Sequence, residues 1–326
     1  MTTTYILGAG ASFHAGYPFA RTMGRQLLDW MSGKENLYFD FPASSAFLES
    51  RFGDDIEAIM NGMERAIRRR TVDRVLIVNC YKPAFIQAMR EWFAEIHQSN
   101  PATAYKEFAE RIVQPGDSVI TFNYDVSLDA KLCEVGKWEI GDGYGFDVEG
   151  LPRNSPVKVL KVHGSINWLT LILRGSRPAF TDDTLMALGY EGLVDPLFPR
   201  DGSSAIPPLI LPLSRKKFYF DTNLGKLWEP FWNRLWREAR RAVRTSNRIV
   251  ICGYGMYPID RRGRNLLLRG ECRAEIEVCS GSRTGEIVSE LRSHGRKAER
   301  AEHMCFEQWV AAYPNYRPRR LCPARY

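Results

Sequence analysis

Short apolar runs recur along this chain between longer amphipathic stretches. They fall at residues 4–7, 118–122, 157–162, 248–252 and 275–279, and within each the apolarity is continuous rather than alternating. A strand that is apolar on both faces is covered on both faces, so the pattern predicts a parallel sheet with helices packed on each side. The fold class expected is α/β, a Rossmann-like doubly wound parallel sheet.

Between the first two runs the chain reads mainly helical, with residues 54–70 and 81–97 as the best segments. This predicts a helical insertion at about residues 44–100. Residues 175–212 are rich in Gly, Pro, Ser and Asp with little periodicity, and read as a long surface loop of the kind that forms lids or partner sites. An amphipathic helix follows, with Trp228, Phe231, Trp232, Leu235, Ala239 and Val243 at helical spacing and Arg234, Arg237, Arg241 and Arg244 along another face. Residues 316–326 read as a loosely held tail, and no internal repeat marks a domain boundary.

Composition narrows the classes. With 44% hydrophobic residues and 12% aromatics over 326 residues, the chain can bury a full core and is not a disordered protein. Seven cysteines form no C-x-x-C pair, and five histidines offer no close ligand pair, so neither a disulfide framework nor a structural metal is expected. The cysteines are expected to be reduced and mostly buried. The start of the chain lacks the features of a secretory signal, and no segment is apolar for long enough to span a bilayer; the expectation is a cytoplasmic protein without membrane contact. A net charge of +7 favours anionic partners, among them nucleic acid, a dinucleotide pyrophosphate or an acidic protein.

The candidate chemistry sits where the apolar runs end. The first runs into Gly8, Ala9, Gly10, Ala11 and Ser12, then Gly16 and Pro18, a strand–glycine turn–helix order that presents backbone amides to a phosphate. Phe13 stands where the usual dinucleotide fingerprint has its third glycine. The second run ends in Thr121-Phe-Asn123-Tyr-Asp125, and the third in Lys161-Val-His163-Gly164-Ser165-Ile-Asn-Trp168. The fourth ends in Gly253-Tyr254-Gly255 with Asp260 after it, and the fifth in Ser280. Open α/β sheets bind ligands at such carboxyl ends. Taken singly, each has a bland reading: a structural turn, a capping Asn, or a satisfied core His.

Taken in order along the chain, these motifs resemble the sirtuin superfamily. The spelling T-F-N-Y-D, H-G-S-I-N-W and G-Y-G-x-x-x-x-D is similar to the bacterial sirtuin-like NAD hydrolases of anti-phage defence. The resemblance covers most of the chain and implies one sirtuin-like NAD-binding domain over residues 1–326. It also implies that the turn from Gly8 to Ser12 holds the pyrophosphate, that Asn123 positions the ribose and attacking group, and that Asp125 binds the nicotinamide amide. His163 would be the general base, and Gly16, Pro18, Gly164, Ser165, Gly253, Tyr254, Gly255, Asp260 and Ser280 would complete the nucleotide site.

Deacylating sirtuins carry a zinc module after the H-G motif, yet no cysteine lies between Cys133 and Cys252. The resemblance therefore favours water as acceptor: an NAD nucleosidase giving nicotinamide and ADP-ribose, NAD being substrate and no metal being used. A regulated, abortive-infection effector of this type would act as a homo-oligomer or with a defence-system partner. The alternatives are an NAD-dependent protein deacylase or ADP-ribosyl transferase, and a non-catalytic nucleotide-binding sensor. Two arginine runs, Arg65 to Arg70 and Arg234 to Arg244, keep nucleic acid open as a partner, although charge on an outer helix face is usually just solvated.

Overall fold

The structure is a computed structural model that describes residues 2–147, 151–172, 185–187, 204–206, 223–270 and 272–313. Its strands, in chain order, are β1 (Thr3–Leu7), β2 (Ser118–Thr121), β3 (Lys158–Lys161), β4 (Trp168–Ile172), β5 (Leu185–Ala187), β6 (Ser204–Ile206), β7 (Arg248–Cys252), β8 (Glu275–Cys279) and β9 (Ala298–Arg300). Six of them form one parallel sheet in the order β3-β2-β1-β7-β8-β9. The order steps outward from β1 on one side, then returns to its other side, which is the doubly wound arrangement. Residues Tyr5, Ile6 and Leu7 of the central strand are at most 1% exposed, as continuous apolarity requires.

All five apolar runs match their strands to within one residue at each end. Within the parallel sheet hydropathy did not reveal β9, whose residues Ala-Glu-Arg have no apolar run because it lies at the sheet edge, and it did not mark β4 of the smaller sheet. Also unforeseen were β5 and β6, which pair antiparallel with β4 inside the segment read as a structureless loop. Three-residue strands carry too little periodicity to register. The rest of residues 175–212, and the tail at 316–326, lie outside the described residues.

Helices α1 (Ala20–Ser32), α2 (Phe41–Phe52), α3 (Ile56–Arg69), α4 (Lys82–Ser99) and α5 (Thr103–Glu107) fill the chain between β1 and β2. The helical run is thus longer than residues 44–100. Both predicted helices are present as α3 and α4, and α3 starts where the Asp55 side chain accepts from the Ala58 N–H. After β2 come α6 (Ser127–Glu134), α7 (Asn223–Thr245), α8 (Arg261–Leu268), α9 (Thr284–Ser293) and α10 (Phe306–Ala312). The amphipathic helix α7 buries Phe231, Trp232, Leu235, Ala239 and Val243, while Arg237, Arg241 and Arg244 are exposed. Phe231 and Trp232 pack on Trp168 at 5.8 and 6.2 Å between ring centroids, and Phe231 meets Phe146 at 5.0 Å. This aromatic cluster seats α7 beside the start of β4.

Of the six described cysteines, all free, Cys252 and Cys279 are buried, Cys272 and Cys305 are half-buried, and Cys80 and Cys133 are exposed. The expectation that most would be buried is corrected: Cys80 and Cys133 sit on solvent-facing sides of helical segments rather than on core faces. No group of His, Cys, Asp and Glu among the described residues is placed to hold a metal ion, and no described helix is long and apolar enough to cross a membrane.

Candidate active site

Parallel register brings the strand ends together. Leu7 pairs with Thr121 on one side and Cys252 on the other, Thr121 pairs with Lys161, and Cys252 with Cys279. Gly8, Phe122, Val162, Gly253 and Ser280 are therefore each one residue past the same row, and Asn123 and His163 each two past it. The four motifs that sequence placed at separate strand ends form one edge of one sheet.

The glycine turn is shaped first by its neighbour. After Gly8, residues Ala9–Ser12 make a single helical turn and Phe13–Ala15 a 3-10 turn. A Cβ on Gly10 would stand 2.8 Å from Gly253 Cα, and one on Gly253 would stand 2.2 Å from Ala11 N. Gly8 N–H donates to Cys252 O and Gly10 N–H to Gly253 O at 3.0 and 3.1 Å. The two turns thus touch backbone to backbone, and Gly253 holds φ +64, a conformation alanine resists. Gly253→Ala should cost about 2–4 kcal/mol, summing the left-handed penalty and the overpacking. Urea unfolding measures it, and an unchanged midpoint would mean the turns can separate freely.

Ser12 is the hub beneath the turn. It is 1% exposed, donates to Asp125 Oδ2 at 2.7 Å, and so accepts from Tyr105 OH at 2.7 Å and from Asn123 Nδ2 at 2.8 Å. Asn123 Nδ2 gives its other proton to Gly8 O at 3.0 Å, and Asp125 Oδ1 accepts from Ser127 N–H at 3.1 Å. Asn123 is held at 8% exposure and Asp125 at 4%. Burial of a polar set of this kind is tolerated because every member is paired. Tyr105, which comes from the helical insertion, carried no sequence signal; only the tertiary fold sets it against Ser12.

A second cluster is built around the histidine. His163 Nε2 lies 3.6 Å from Asp260 Oδ2, with both side chains under 10% exposed. Asp260 also accepts from Tyr254 OH at 2.7 Å and from Gly263 N–H at 2.9 Å, the latter capping α8. Burial pushes the Asp260 carboxyl up, but the imidazole and these donors outweigh it and hold it below the usual aspartate range. Its contribution to stability is therefore full above the usual aspartate range and is lost as pH falls from that range through the lowered value. Phe122 stacks on Tyr254 at 3.9 Å and meets the His163 ring edge-on at 4.9 Å, fixing the imidazole plane. Gly164, at φ +92, turns the chain sharply after His163.

Glu57, in the first turn of α3, is a group the sequence did not single out. Burial first, then the charges of Asp55 and Asp260, raise its carboxyl to about 7.

The remaining predicted residues divide. Ser280 Oγ is buried at the end of β8 with no hydrogen-bond partner among the described residues, an orphaned hydroxyl suited to a ligand. Ser165 is fully buried and bonds Asn167 Oδ1 at 2.5 Å, so its hydroxyl supports the loop rather than facing the cleft. Gly16, at φ +84, closes the 3-10 turn against Ile96 and Asn100 of the insertion; Pro18 is buried just after it, and Gly255 packs against the Tyr257 ring. His14 is half-buried within the glycine turn. Tyr105 N–H donates to its Nε2 at 3.3 Å, so Nδ1 carries the proton and donates to Ala11 O at 2.8 Å.

Burial depresses the pKa of His14 below 6.5, in keeping with that neutral tautomer. The unfolded chain binds the proton first, so stability is full above pH 6.5 and falls as pH drops below it. His14→Gln should flatten this part of the stability–pH curve in thermal melts; a curve identical to wild type would contradict the assignment.

Under both clusters lies Lys161, fully buried. Its Nζ hydrogen-bonds the Asp125 carbonyl and sits 3.3 Å from Asp129 Oδ2, whose side chain is 1% exposed. Tyr144 OH donates to Asp129 at 2.8 Å and accepts from Asn167 Nδ2 at 2.8 Å. Burial pushes the Asp129 carboxyl up against the pull of Lys161. This network ties the loop carrying Asn123 and Asp125 to the loop carrying His163.

No protein-family model and no curated protein matches the chain. Among solved structures it is similar to Sir2 enzymes. One described as a sirtuin studied for substrate affinity has a TM-score of 0.45 at 13% identity, with 96% of this chain and 93% of that chain covered. A complex of Sir2 with a p53 peptide and NAD+ has a TM-score of 0.42 at 14% identity, covering 96% and 92%. A third, from work on Sir2 mechanism and regulation, has 0.39 at 16%, covering 90% and 93%. At these identities and scores the likeness adds nothing about the site, which rests on the geometry above.

Proposed function

We propose that this chain hydrolyses NAD to nicotinamide and ADP-ribose, acting as a regulated anti-phage effector. The observation that carries it is the His163–Asp260 pair standing one strand away from Asn123, which is itself bonded to the glycine turn. The motif order supports the same reading, and the orphaned Ser280 hydroxyl fits a nucleotide hydroxyl at the far end of the edge.

In this reading Gly8 to Ser12 lie along the pyrophosphate and Asn123 orients the ribose. His163 directs Nε2 at Asp260, so Nδ1 is the nitrogen left to act as base. It takes a proton from the attacking water as oxygen bonds to the ribose carbon and the glycosidic bond breaks. Nicotinamide leaves with that bond's electron pair, and Asp260 stabilises the imidazolium. The positive charge that develops on the ribose needs orientation more than acid assistance.

Asn123 and His163 are only 8% and 3% exposed. That supports a resting form whose cleft must open before substrate enters, as expected of an enzyme restrained until oligomerisation or a partner releases it.

The test is incubation of purified protein with NAD, following nicotinamide and ADP-ribose by chromatography. Under an activating condition wild type should release both in equal amounts and Asn123→Ala neither. Label appearing on protein, or O-acetyl-ADP-ribose from an acetylated peptide, would replace hydrolysis by transfer; intact NAD bound stoichiometrically under every activating condition would replace it by sensing.

A further inference from the structure

A cavity of about 520 Å³ opens on the outer face of α8, away from the glycine turn and the Asn123 network. Its lining is Arg261, Arg264, Asn265, Leu268, Arg269 and His294. The first four lie at helical spacing on α8, Arg269 is its C-cap, and His294 follows the end of α9. Three arginines and a histidine thus line one hollow, whose size falls in the ~300–1,000 Å³ span of small-molecule sites.

The charge there is only partly neutralised. Arg264 is paired with Glu290 of α9, while Arg261 and Arg269 are exposed. Arg264 Nε is buried and has no hydrogen-bond partner among the described residues. The C-terminal half of the wall is held rigid by Arg296, whose guanidinium donates to the carbonyls of Leu267, Leu268 and Gly270 at 2.7–3.0 Å.

Guanidinium forks match phosphate oxygens in geometry as well as charge. We propose that this cavity is a second anion site that binds a phosphate-bearing small molecule, with Arg261, Arg264 and Arg269 as its ligands and buried Leu268 as an apolar floor. Its position makes it an effector site, because α8 begins at the cap Asp260, the partner of His163. An anion gripping α8 bears on the residue that orients the candidate base.

Calorimetric titration of the full chain with pyrophosphate, ADP and adenosine, at physiological ionic strength, tests it. Pyrophosphate and ADP should bind and adenosine should not. ADP binding tighter than pyrophosphate identifies a nucleotide ligand, and equal affinities identify the phosphate group alone. The double substitution R261E/R269E, on two exposed positions, should weaken both by about tenfold or more, as loss of charge-assisted contacts does, while NAD binding at the strand ends persists. Adenosine binding as well as ADP, or R261E/R269E binding pyrophosphate as wild type does, overturns the proposal. Neither readout requires catalysis, so a failure of the hydrolase reading leaves this test intact.

Discussion

His163→Ala should reduce NAD cleavage by about 10²–10⁴-fold, the range that a positioned general base contributes, with the fold intact by circular dichroism. The informative companion is Asp260→Asn. Asp260 has two jobs, capping α8 through Gly263 N–H and holding the imidazole. Asparagine caps a helix about as well as aspartate, so this variant keeps the first job and removes the charge needed for the second. It should stay folded, giving up only the stability that the ionised carboxyl contributes, yet lose most of its kcat with little change in KM, since an imidazolium forms only as the reaction proceeds. Nicotinamide release at saturating NAD measures the effect. Full activity in Asp260→Asn would mean that the pair is structural and that another group takes the proton.

Lys161→Met should be the most destabilising single change, at about 3–5 kcal/mol, because it leaves Asp129 buried without its cationic partner. The cost arises from the position of both groups: Lys161 is 0% and Asp129 1% exposed, so water cannot replace the lost ammonium. The Asp125 carbonyl loses its donor in the same step. A buried pair is weak evidence for net stability, since two charges leave water to form it. Removing both, as Lys161→Met with Asp129→Leu, should therefore recover most of the loss in chemical unfolding while leaving the Asn123 and His163 loops less firmly tied. If the single variant lost under 1 kcal/mol, the network would have to be penetrated by water and would not be rigid.

The sequence by itself determined the sheet and the edge that matters. Strands buried on both faces must be apolar throughout, so β1, β2, β3, β7 and β8 announce themselves, and α3, α4 and α7 follow from 3.6-residue periodicity. The same local logic marked Gly8 to Ser12, Asn123, His163, Gly253 and Asp260, since each lies just past a strand end. Tertiary structure decided everything that depends on which ends are neighbours. The strand order sets Asn123 beside His163, and folding of the loop after β7 brings Asp260 to His163 across 97 residues of chain. It also decided that the glycines first serve the contact between two turns, that Ser165 faces inward, and that Tyr105 of the insertion reaches the site. None of these has a local signature, because hydrogen bonds and burial between distant segments depend on packing rather than on spacing along the chain. Edge strands such as β9, and the short β5 and β6, escape for the complementary reason: with few buried positions they impose no pattern on their residues.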